Sequence, residues 1–217
     1  RNKVVAIGTA ENSGATVDAN GICYTQYGGG VYSDAFLNVL AIGYPVNSFY
    51  GYMVNGIIQT PQGDGSSPNT RPGELNYVGL NPDGTLDPSR RTIIGDPNPD
   101  FTASLNLSLS HRCGIDLSVM MYGVYGNDIF SARKLDAPAL RAGRWTPEHP
   151  NNERPSLRYN RQYHASSWSV EDGSFLRISN ITLGYTLPPE KVRGIKHMRL
   201  YVSVSNPFTF SKVSEYD

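Results

Sequence analysis

The sequence predicts an all-β protein whose antiparallel strands form part of a large transmembrane β-barrel with long extracellular loops. Three observations favour this fold. Apolar residues occupy alternate positions in two runs within residues 101–125, the first of these runs carries no charge, and short connections between strands alternate with long ones. A soluble β-sandwich is the competing fold, because soluble hairpins are far commoner than membrane hairpins.

Residues 101–125 form the clearest element. From Phe101 to Leu109 every second residue is apolar, and the residues between them are Thr, Ser or Asn. This period places the apolar set on one face of a strand. The alternation restarts at Ile115, after the short polar connection HRCG, so the two runs predict an antiparallel hairpin. Strands of about 9–11 residues are long enough to cross a bilayer when they are tilted.

The charge balance and the amino-acid composition argue against some classes of function. The chain has 217 residues, with 19 basic and 19 acidic residues and a formal net charge of zero. Because nucleic-acid binding requires a basic surplus, no nucleic-acid partner is expected. Charged residues make up only 18% of the chain, while Tyr (14) and Gly (22) are abundant. This balance fits a turn-rich all-β protein or a barrel with aromatic girdles, and no apolar run is long enough for a transmembrane helix.

The first part of the chain predicts short strands between irregular loops. Residues 4–7 are compatible with a short strand, and the three glycines at 28–30 with a flexible turn. Residues 31–42 predict a strand. Residues 43–60 combine aromatic side chains with glycines, which indicates close approach of backbones. Residues 61–92 are rich in Pro, Gly, Asn, Asp and Ser and predict a long loop.

One part of this loop resembles the middle of a calcium-binding loop. Its oxygen-bearing residues and its glycine have the corresponding spacing: Asn81, Asp83, Gly84 and Asp87. However, the first ligand position is Gly79, and the position of the closing bidentate Glu is Arg90. We therefore favour a turn stabilised by Asn and Asp side chains, and predict no metal or other cofactor here.

In the second part of the chain, short and long connections between strands again alternate. After the hairpin comes a long loop at 127–172, then a predicted strand at 174–188 and a last strand at 198–206. The connections are short at 111–114 and 188–197, and long at 61–92 and 127–172. Membrane barrels of the outer-membrane type have short turns at one end and extended loops at the other, so this order favours the barrel over the sandwich.

The loop at 127–172 holds the candidate ligand-binding residues. Its aromatic side chains are suited to stacking on sugar rings or peptide side chains: Trp145, Tyr159, Tyr163 and Trp168. Its arginines are suited to hydrogen bonds with a ligand or a partner protein: Arg141, Arg144, Arg154, Arg158 and Arg161. The alternative interpretation is that these residues pack the long loops against one another.

No residue pattern indicates catalysis. The four histidines, His111, His149, His164 and His197, lack the spacing of metal ligands. The two cysteines, Cys23 and Cys113, are taken as free thiols, since two do not make a disulfide framework. We therefore expect a protein that is not an enzyme.

Several motifs occur in the order found in one family. The first group is GYPVNSFYGYMVNGIIQT, RPGELNYVGLNPDGTLD, RRTIIGDPNPDF and GVYGNDIF; the second is RWTPEHP, EDGSFLRISNITLGYTLP and MRLYVSVSNPFTF. Residues 43–217 resemble the late barrel segment of SusC/RagA-type TonB-dependent outer-membrane transporters, whereas residues 1–42 match only loosely. Several motifs that occur in the same order identify a family more specifically than any single motif does.

The resemblance implies a barrel of about 22 strands with a plugged lumen. It also implies import of oligosaccharides or peptides across the outer membrane of a Gram-negative bacterium, together with a SusD-type lipoprotein that acts as a lid. Energy would come from the TonB system, through a segment outside this chain. Membrane lipid would surround the barrel. Because the chain starts at Arg1 and has no plug segment, we expect it to be a piece of a longer polypeptide.

Two other hypotheses remain open from the sequence. One is a secreted or surface-attached β-sandwich that binds carbohydrate through its Tyr and Trp residues. The other is a structural surface protein without a small ligand. Burial distinguishes the first from the barrel, because a sandwich would cover the side chains of Leu105, Leu107, Val119 and Leu183 with a second layer of the same chain.

Overall fold

In the computed structural model the described residues are 2–7, 15–18, 20–27, 37–63, 67–131, 134, 143–157, 164–188 and 197–213. They contain thirteen strands: β1 Thr16–Val17, β2 Cys23–Tyr27, β3 Asn38–Ala41, β4 Ser48–Tyr52, β5 Val54–Ile57, β6 Leu75–Tyr77, β7 Arg91–Gly95, β8 Phe101–Ser110, β9 Ile115–Tyr125, β10 Asp128–Phe130, β11 Val170–Asp172, β12 Phe175–Leu187 and β13 Met198–Ser211. Single 3₁₀ turns occur at Pro68–Thr70, Pro88–Arg90 and Ser167–Ser169. The pairings between strands are antiparallel, which confirms the predicted fold class.

The chain divides into two compact units. One, the loop unit, contains the described residues up to Asn98 and those of Asp128–Glu171. The other, the wall unit, contains Pro99–Asn127 and the described part of Asp172–Val213. Within the described parts of the chain, no helix has the length and apolar character that crossing a membrane requires.

The wall unit is a four-stranded sheet with the order β13-β12-β9-β8. The predicted hairpin is confirmed: β8 pairs with β9, and the His111 amide donates to the Ile115 carbonyl at 2.8 Å to close the turn. Gly114 has a φ of 93°, a conformation that a glycine adopts without steric cost. Because β9 next pairs with β12, the sheet brings together segments separated by the long loop.

A bulge interrupts the pairing of β12 with β13. The register shifts between Ile178 and Asn180, and on the partner strand Ser205 and Phe208 are the flanking paired residues. Asn206 in this gap has a φ of 51°, and Pro207 follows it. A bulge accommodates a proline that cannot donate to the ladder, so β13 continues to Ser211 rather than ending near residue 206 as predicted.

The loop unit contains a five-stranded sheet with the order β1-β2-β3-β4-β7 and the short pairs β5-β6 and β10-β11. Three clusters of buried apolar residues lie in this unit, and one of them contains Tyr24, Val39, Ala41 and Tyr50. The predicted strand at 31–42 appears as β3, while its first residues lie outside the described part. Near residues 4–7 the described structure has an isolated bridge from Val4 to Ile42.

The division of the chain at residue 42, which rested on the family resemblance, stays a prediction. In the structure β3 lies before this position and pairs both with β2 and with β4, which lies after it. Residues on both sides of position 42 therefore share one sheet.

Candidate functional site

The wall unit has one continuous apolar face. The register aligns apolar residues across all four strands in successive rows: Leu105–Met121–Ile178–Phe208, Leu107–Val119–Ile181–Val204 and Leu109–Leu117–Leu183–Val202. This arrangement follows from the period of two, because correct pairing keeps each strand's apolar set on the same side of the sheet. The face therefore extends across the full width of the sheet.

The side chains of this apolar face are not buried in a hydrophobic core. Leu105 is 55% exposed, Leu183 is 54% exposed and Val202 is 68% exposed. A contiguous exposed apolar surface of this width is typical of a membrane or protein contact, not of a surface that faces water. The exposure contradicts the soluble-sandwich alternative, which requires these side chains to be buried by a second layer.

The opposite face of the wall unit is polar and hydrogen-bonded. Its rows include Ser104–Tyr122–Arg177–Thr209 and Ser108–Ser118–Thr182–Ser203. The Thr182 hydroxyl donates to the Asn180 amide oxygen at 2.7 Å, and the Asn180 amide nitrogen donates to the Ser203 hydroxyl at 3.0 Å. In a membrane barrel, residues of this kind face the wet interior while the alternating apolar residues face lipid.

An ion pair crosses the polar face near the short-turn end. Asp116 lies on β9 and Arg199 on β13, with β12 between them. The Arg199 Nε donates to Asp116 Oδ1 at 3.2 Å, and a terminal nitrogen of Arg199 contacts the second carboxylate oxygen. Gly184 lies beneath the pair, and a Cβ there would be 2.5 Å from both carboxylate oxygens. The missing side chain on the middle strand therefore lets the outer two strands interact.

A third charged residue, Arg177, lies nearer the long-loop end of the same face. Its Nε donates to the Thr209 hydroxyl at 3.2 Å, and its guanidinium carbon is 5.4 Å from the centre of the Phe175 ring. The Phe175 ring is in turn 5.8 Å from the Tyr122 ring. These contacts restrain the position of the guanidinium on an exposed part of the face.

Trp145, one of the predicted ligand-binding residues, is buried in the loop unit. It is 8% exposed and packs in a cluster with Tyr52, Ile57, Leu75 and Tyr77. Its indole nitrogen donates to the Gln59 side-chain oxygen at 2.8 Å. These contacts are those of a core residue, because both the ring faces and the polar edge of the indole are used within the chain.

Trp168 and Arg144 also make contacts within the loop unit. The Trp168 indole donates to the Glu153 carbonyl at 2.9 Å, and the Lys134 ammonium donates to the Trp168 carbonyl at 2.8 Å. Lys134 also pairs with the largely buried Glu171 at 2.8 Å. A terminal nitrogen of Arg144 is 3.4 Å from the Ser156 carbonyl. Ligand binding by Trp145, Trp168 and Arg144 stays a prediction.

The other members of the predicted set lie outside the described residues: Tyr159, Tyr163, Arg141, Arg158 and Arg161. The structure instead draws attention to residues of the polar face that the sequence did not single out, namely Tyr122, Asp116, Arg177 and Arg199. One sequence signal was available, because charged and aromatic residues are few on a face made largely of small polar ones.

The loop with calcium-like spacing is a turn stabilised by its own side chains. Asp83 Oδ1 accepts hydrogen bonds from the Thr85 amide at 2.9 Å and from the Thr85 hydroxyl at 2.7 Å. These bonds lower the pKa of Asp83, and bonds from Ser89 lower that of Asp87. Among the described residues no group of three or more His, Cys, Asp or Glu side chains is arranged to hold a metal.

Relatives among characterised proteins cover most of this chain. The chain is 32% identical over 188 residues to TonB-dependent receptor P3 of Formosa agariphila, an alignment that covers 80% of this chain and 18% of that protein. It is 26% identical over 200 residues to TonB-dependent receptor SusC of Bacteroides thetaiotaomicron, covering 81% of this chain and 17% of that protein. The chain belongs to the SusC/RagA-type TonB-dependent receptors. It spans less than a fifth of the length of these relatives, and no family model matches it.

Solved structures of this receptor family have the same fold as the chain. The RagAB peptide transporter superposes with a TM-score of 0.63 at 22% identity, covering 83% of this chain and 21% of that one. The RagAB peptide importer in its open-open state gives a TM-score of 0.61 at 20% identity, covering 83% of this chain and 20% of that one. The predicted barrel architecture is thereby confirmed, although the described strands form only an open part of a barrel. The relatives are receptors, which confirms the prediction that this SusC/RagA-type chain is not an enzyme.

Proposed function

We propose that the chain forms part of the wall of an outer-membrane transporter that imports oligosaccharides or peptides in a TonB-dependent manner. The observation that carries the proposal is the two-faced sheet of the wall unit, with an exposed apolar face and a hydrogen-bonded polar face. Lipid tails cover the first face, and the second lines the path of a polar substrate.

Strand length and aromatic placement support a position in the outer membrane of a Gram-negative bacterium. The four wall strands have 10, 11, 13 and 14 residues, and about 9–11 tilted residues cross a bilayer. At the long-loop end of the apolar face, Phe101 stacks on Tyr125 with ring centres 5.3 Å apart. Aromatic side chains at this level are typical of the girdle where lipid tails meet head groups.

The relatives support the choice of substrate class and partners. Those in the sequence comparison are named TonB-dependent receptors, and the structural neighbour RagAB is a peptide importer. By analogy with these proteins, we propose that the transporter works with a SusD-type surface lipoprotein and draws its energy from the TonB system. Hydroxyl and amide groups on the polar face suit passage of a hydrated peptide or sugar chain, because they exchange hydrogen bonds with water and solutes.

Two adjacent residues near the middle of β8 provide a test of the orientation. In the full-length transporter, Leu105→Lys should reduce assembly in the outer membrane, because a cation on the lipid face near the midplane costs about 2–4 kcal/mol. Asn106→Lys is the matched control, since its side chain points to the opposite face. The measurement is the amount of folded protein in outer-membrane fractions, read from mobility on gels before and after heating. Equal assembly of the two variants would refute the proposed orientation.

Import itself is tested with labelled oligosaccharides and labelled peptides in cells that carry the full-length transporter. Uptake of one class should be lost when TonB is deleted and when the partner lipoprotein is deleted. Uptake that persists in the TonB-deleted cells would contradict an energised transporter and would leave a passive pore as the better description.

A further inference from the structure

Arg177 differs from the other charged residues on the polar face. Asp116 and Arg199 neutralise each other, and the strands of the wall unit carry one further charge, Arg177. Among the described residues, Arg177 has one hydrogen-bond partner, the Thr209 hydroxyl, and no carboxylate lies within ion-pair distance of it. The described part of this face therefore has a net positive charge centred on Arg177.

The surroundings of Arg177 fix its guanidinium and leave one edge free. Thr209 accepts from Nε, and the Phe175 ring lies 5.4 Å from the guanidinium carbon, so that two contacts restrain the position of the group. The two terminal nitrogens donate to none of the described residues and lie on an exposed side chain. Such a restrained guanidinium matches the two oxygens of a carboxylate, and less rotamer freedom is lost when it binds.

Tyr122 completes a small site beside the guanidinium. It is paired with Arg177 in the register of β9 and β12, it is exposed, and its ring is 5.8 Å from that of Phe175. The phenol can donate a hydrogen bond, and the ring offers an apolar surface to the atoms that carry a carboxylate. Tyr122, Phe175 and Arg177 therefore combine charge, hydrogen bonding and a stacking surface on neighbouring strands.

We propose that Tyr122, Phe175 and Arg177 form a binding site for a carboxylate group of the transported substrate on the pore-facing wall. The proposal rests on the proposed function and specifies it further, because it makes Arg177 a determinant of preference for acidic over neutral substrates. The carboxylate can belong to an acidic peptide or to a uronic-acid oligosaccharide. In both, the recognised group is the same.

The test compares matched substrates in the full-length transporter with its partner lipoprotein. The peptide arm uses a peptide with Glu residues and its counterpart with Gln; the saccharide arm uses a glucuronate-containing oligosaccharide and its glucose counterpart. Binding to purified complex and uptake into cells are measured for each pair. The wild type should prefer the carboxylate member of at least one pair by about tenfold, the factor expected for one charge-assisted hydrogen-bonded pair.

Substitutions distinguish a specific contact made by Arg177 from a general effect of positive charge on substrate preference. Arg177→Gln should abolish the preference, and Arg177→Lys should retain part of it, because the charge stays while the two-pronged geometry is lost. The matched control is Arg112→Gln, which removes the same charge from the exposed turn between β8 and β9 and should leave the preference unchanged. Folded protein in the outer membrane is quantified for all variants.

Three outcomes would overturn the carboxylate site: equal binding of both members of each pair by the wild type, a preference that survives in Arg177→Gln, or an equal loss in Arg112→Gln. Reduced assembly of Arg177→Gln without a change in preference would also overturn it and would assign Arg177 to a contact within the transporter. Carboxylate-selective binding without any uptake would support the site and contradict only the proposed import.

Discussion

At the scale of single residues, the burial of Trp145 makes it a stabilising residue of the loop unit. Trp145→Ala should lower the free energy of unfolding of this unit by about 3–5 kcal/mol, because it leaves a cavity and removes the hydrogen bond to Gln59. The measurement is the urea concentration at which protease cleaves residues 143–157 of the full-length protein. Leu157→Ala is the control, since Leu157 is exposed and its loss should change stability by less than about 0.5 kcal/mol.

The same experiment tests the ligand-binding interpretation of Trp145. If the ring packs the loop, Trp145→Phe should keep most of the protection from protease and leave substrate binding unchanged. A variant with normal protease resistance and impaired substrate binding would instead favour a direct contact between Trp145 and substrate.

Tyr50 predicts a dependence of stability on alkaline pH. Its side chain is fully buried, and its hydroxyl donates to Asp18 Oδ2 at 2.7 Å. Burial, and then the bond to Asp18, raise the pKa of Tyr50 well above its ordinary value of about 10. Because the folded pKa is the higher one, the resulting stabilisation is complete below about pH 10 and decreases as the pH rises further.

Tyr50→Phe provides the test of this dependence. The variant should be less stable than the wild type at neutral pH, because the bond to Asp18 is lost, and the difference should shrink above about pH 10. Protease resistance of the loop unit across pH 7–12 measures both effects. A difference that is the same at every pH would show that Tyr50 does not contribute through its ionisation.

At the scale of elements, Gly184 controls the ion pair between β9 and β13. Gly184→Ala should separate Asp116 from Arg199 and destabilise the wall unit only slightly, because the added Cβ displaces the far ends of two flexible side chains and no backbone atom. The ion pair adds little, since both side chains are partly exposed. Gly123→Ala in the same sheet is the control, because a Cβ there meets its nearest atoms at 3.4 Å. The temperature at which the full-length barrel loses its compact mobility on gels is the measurement, and a much larger shift for Gly184→Ala than for Gly123→Ala would refute the steric argument.

The period of two predicted the wall strands because each is long enough to show the alternation. The strands β8, β9 and β12 agree with the sequence interpretation within about one residue. The end of β13 was missed because Asn206-Pro207 is typical of a strand end, whereas the structure absorbs these residues in a bulge. The strands β10 and β11 have three residues each, which is too short for any period, and they depend on pairing with one another across the long loop.

The candidate site was harder to predict because it depends on register. Asp116 and Arg199 are 83 positions apart in the sequence, and their contact follows only from the pairing of β9 and β13 with β12. Aromatic and Arg residues of the loop at 127–172 were more conspicuous in the sequence, but composition does not reveal burial. Trp145 shows this, since the same indole would suit a ligand platform or a core.

At the scale of the whole molecule, the exposed apolar face and the unpaired outer strands predict how the chain behaves in water. In the described structure, β8 and β13 are the edges of the wall sheet, and their outer backbone groups are open to pairing with other chains. Expressed by itself, the chain should therefore associate in aqueous buffer and disperse when detergent covers the apolar face. Sedimentation velocity with and without detergent measures this, and an aqueous monomer would contradict it.

Two triple variants separate the contribution of the face from that of the edges. Replacing Leu105, Leu107 and Leu109 with Thr removes apolar surface from β8 and should reduce the detergent requirement. Replacing Ser104, Asn106 and Ser108 with Thr should not, because those side chains lie on the polar face. Some association should persist in the first variant, since the edges stay unpaired. If both variants behave alike, open edges drive the association, and lipid coverage of the apolar face would need independent support.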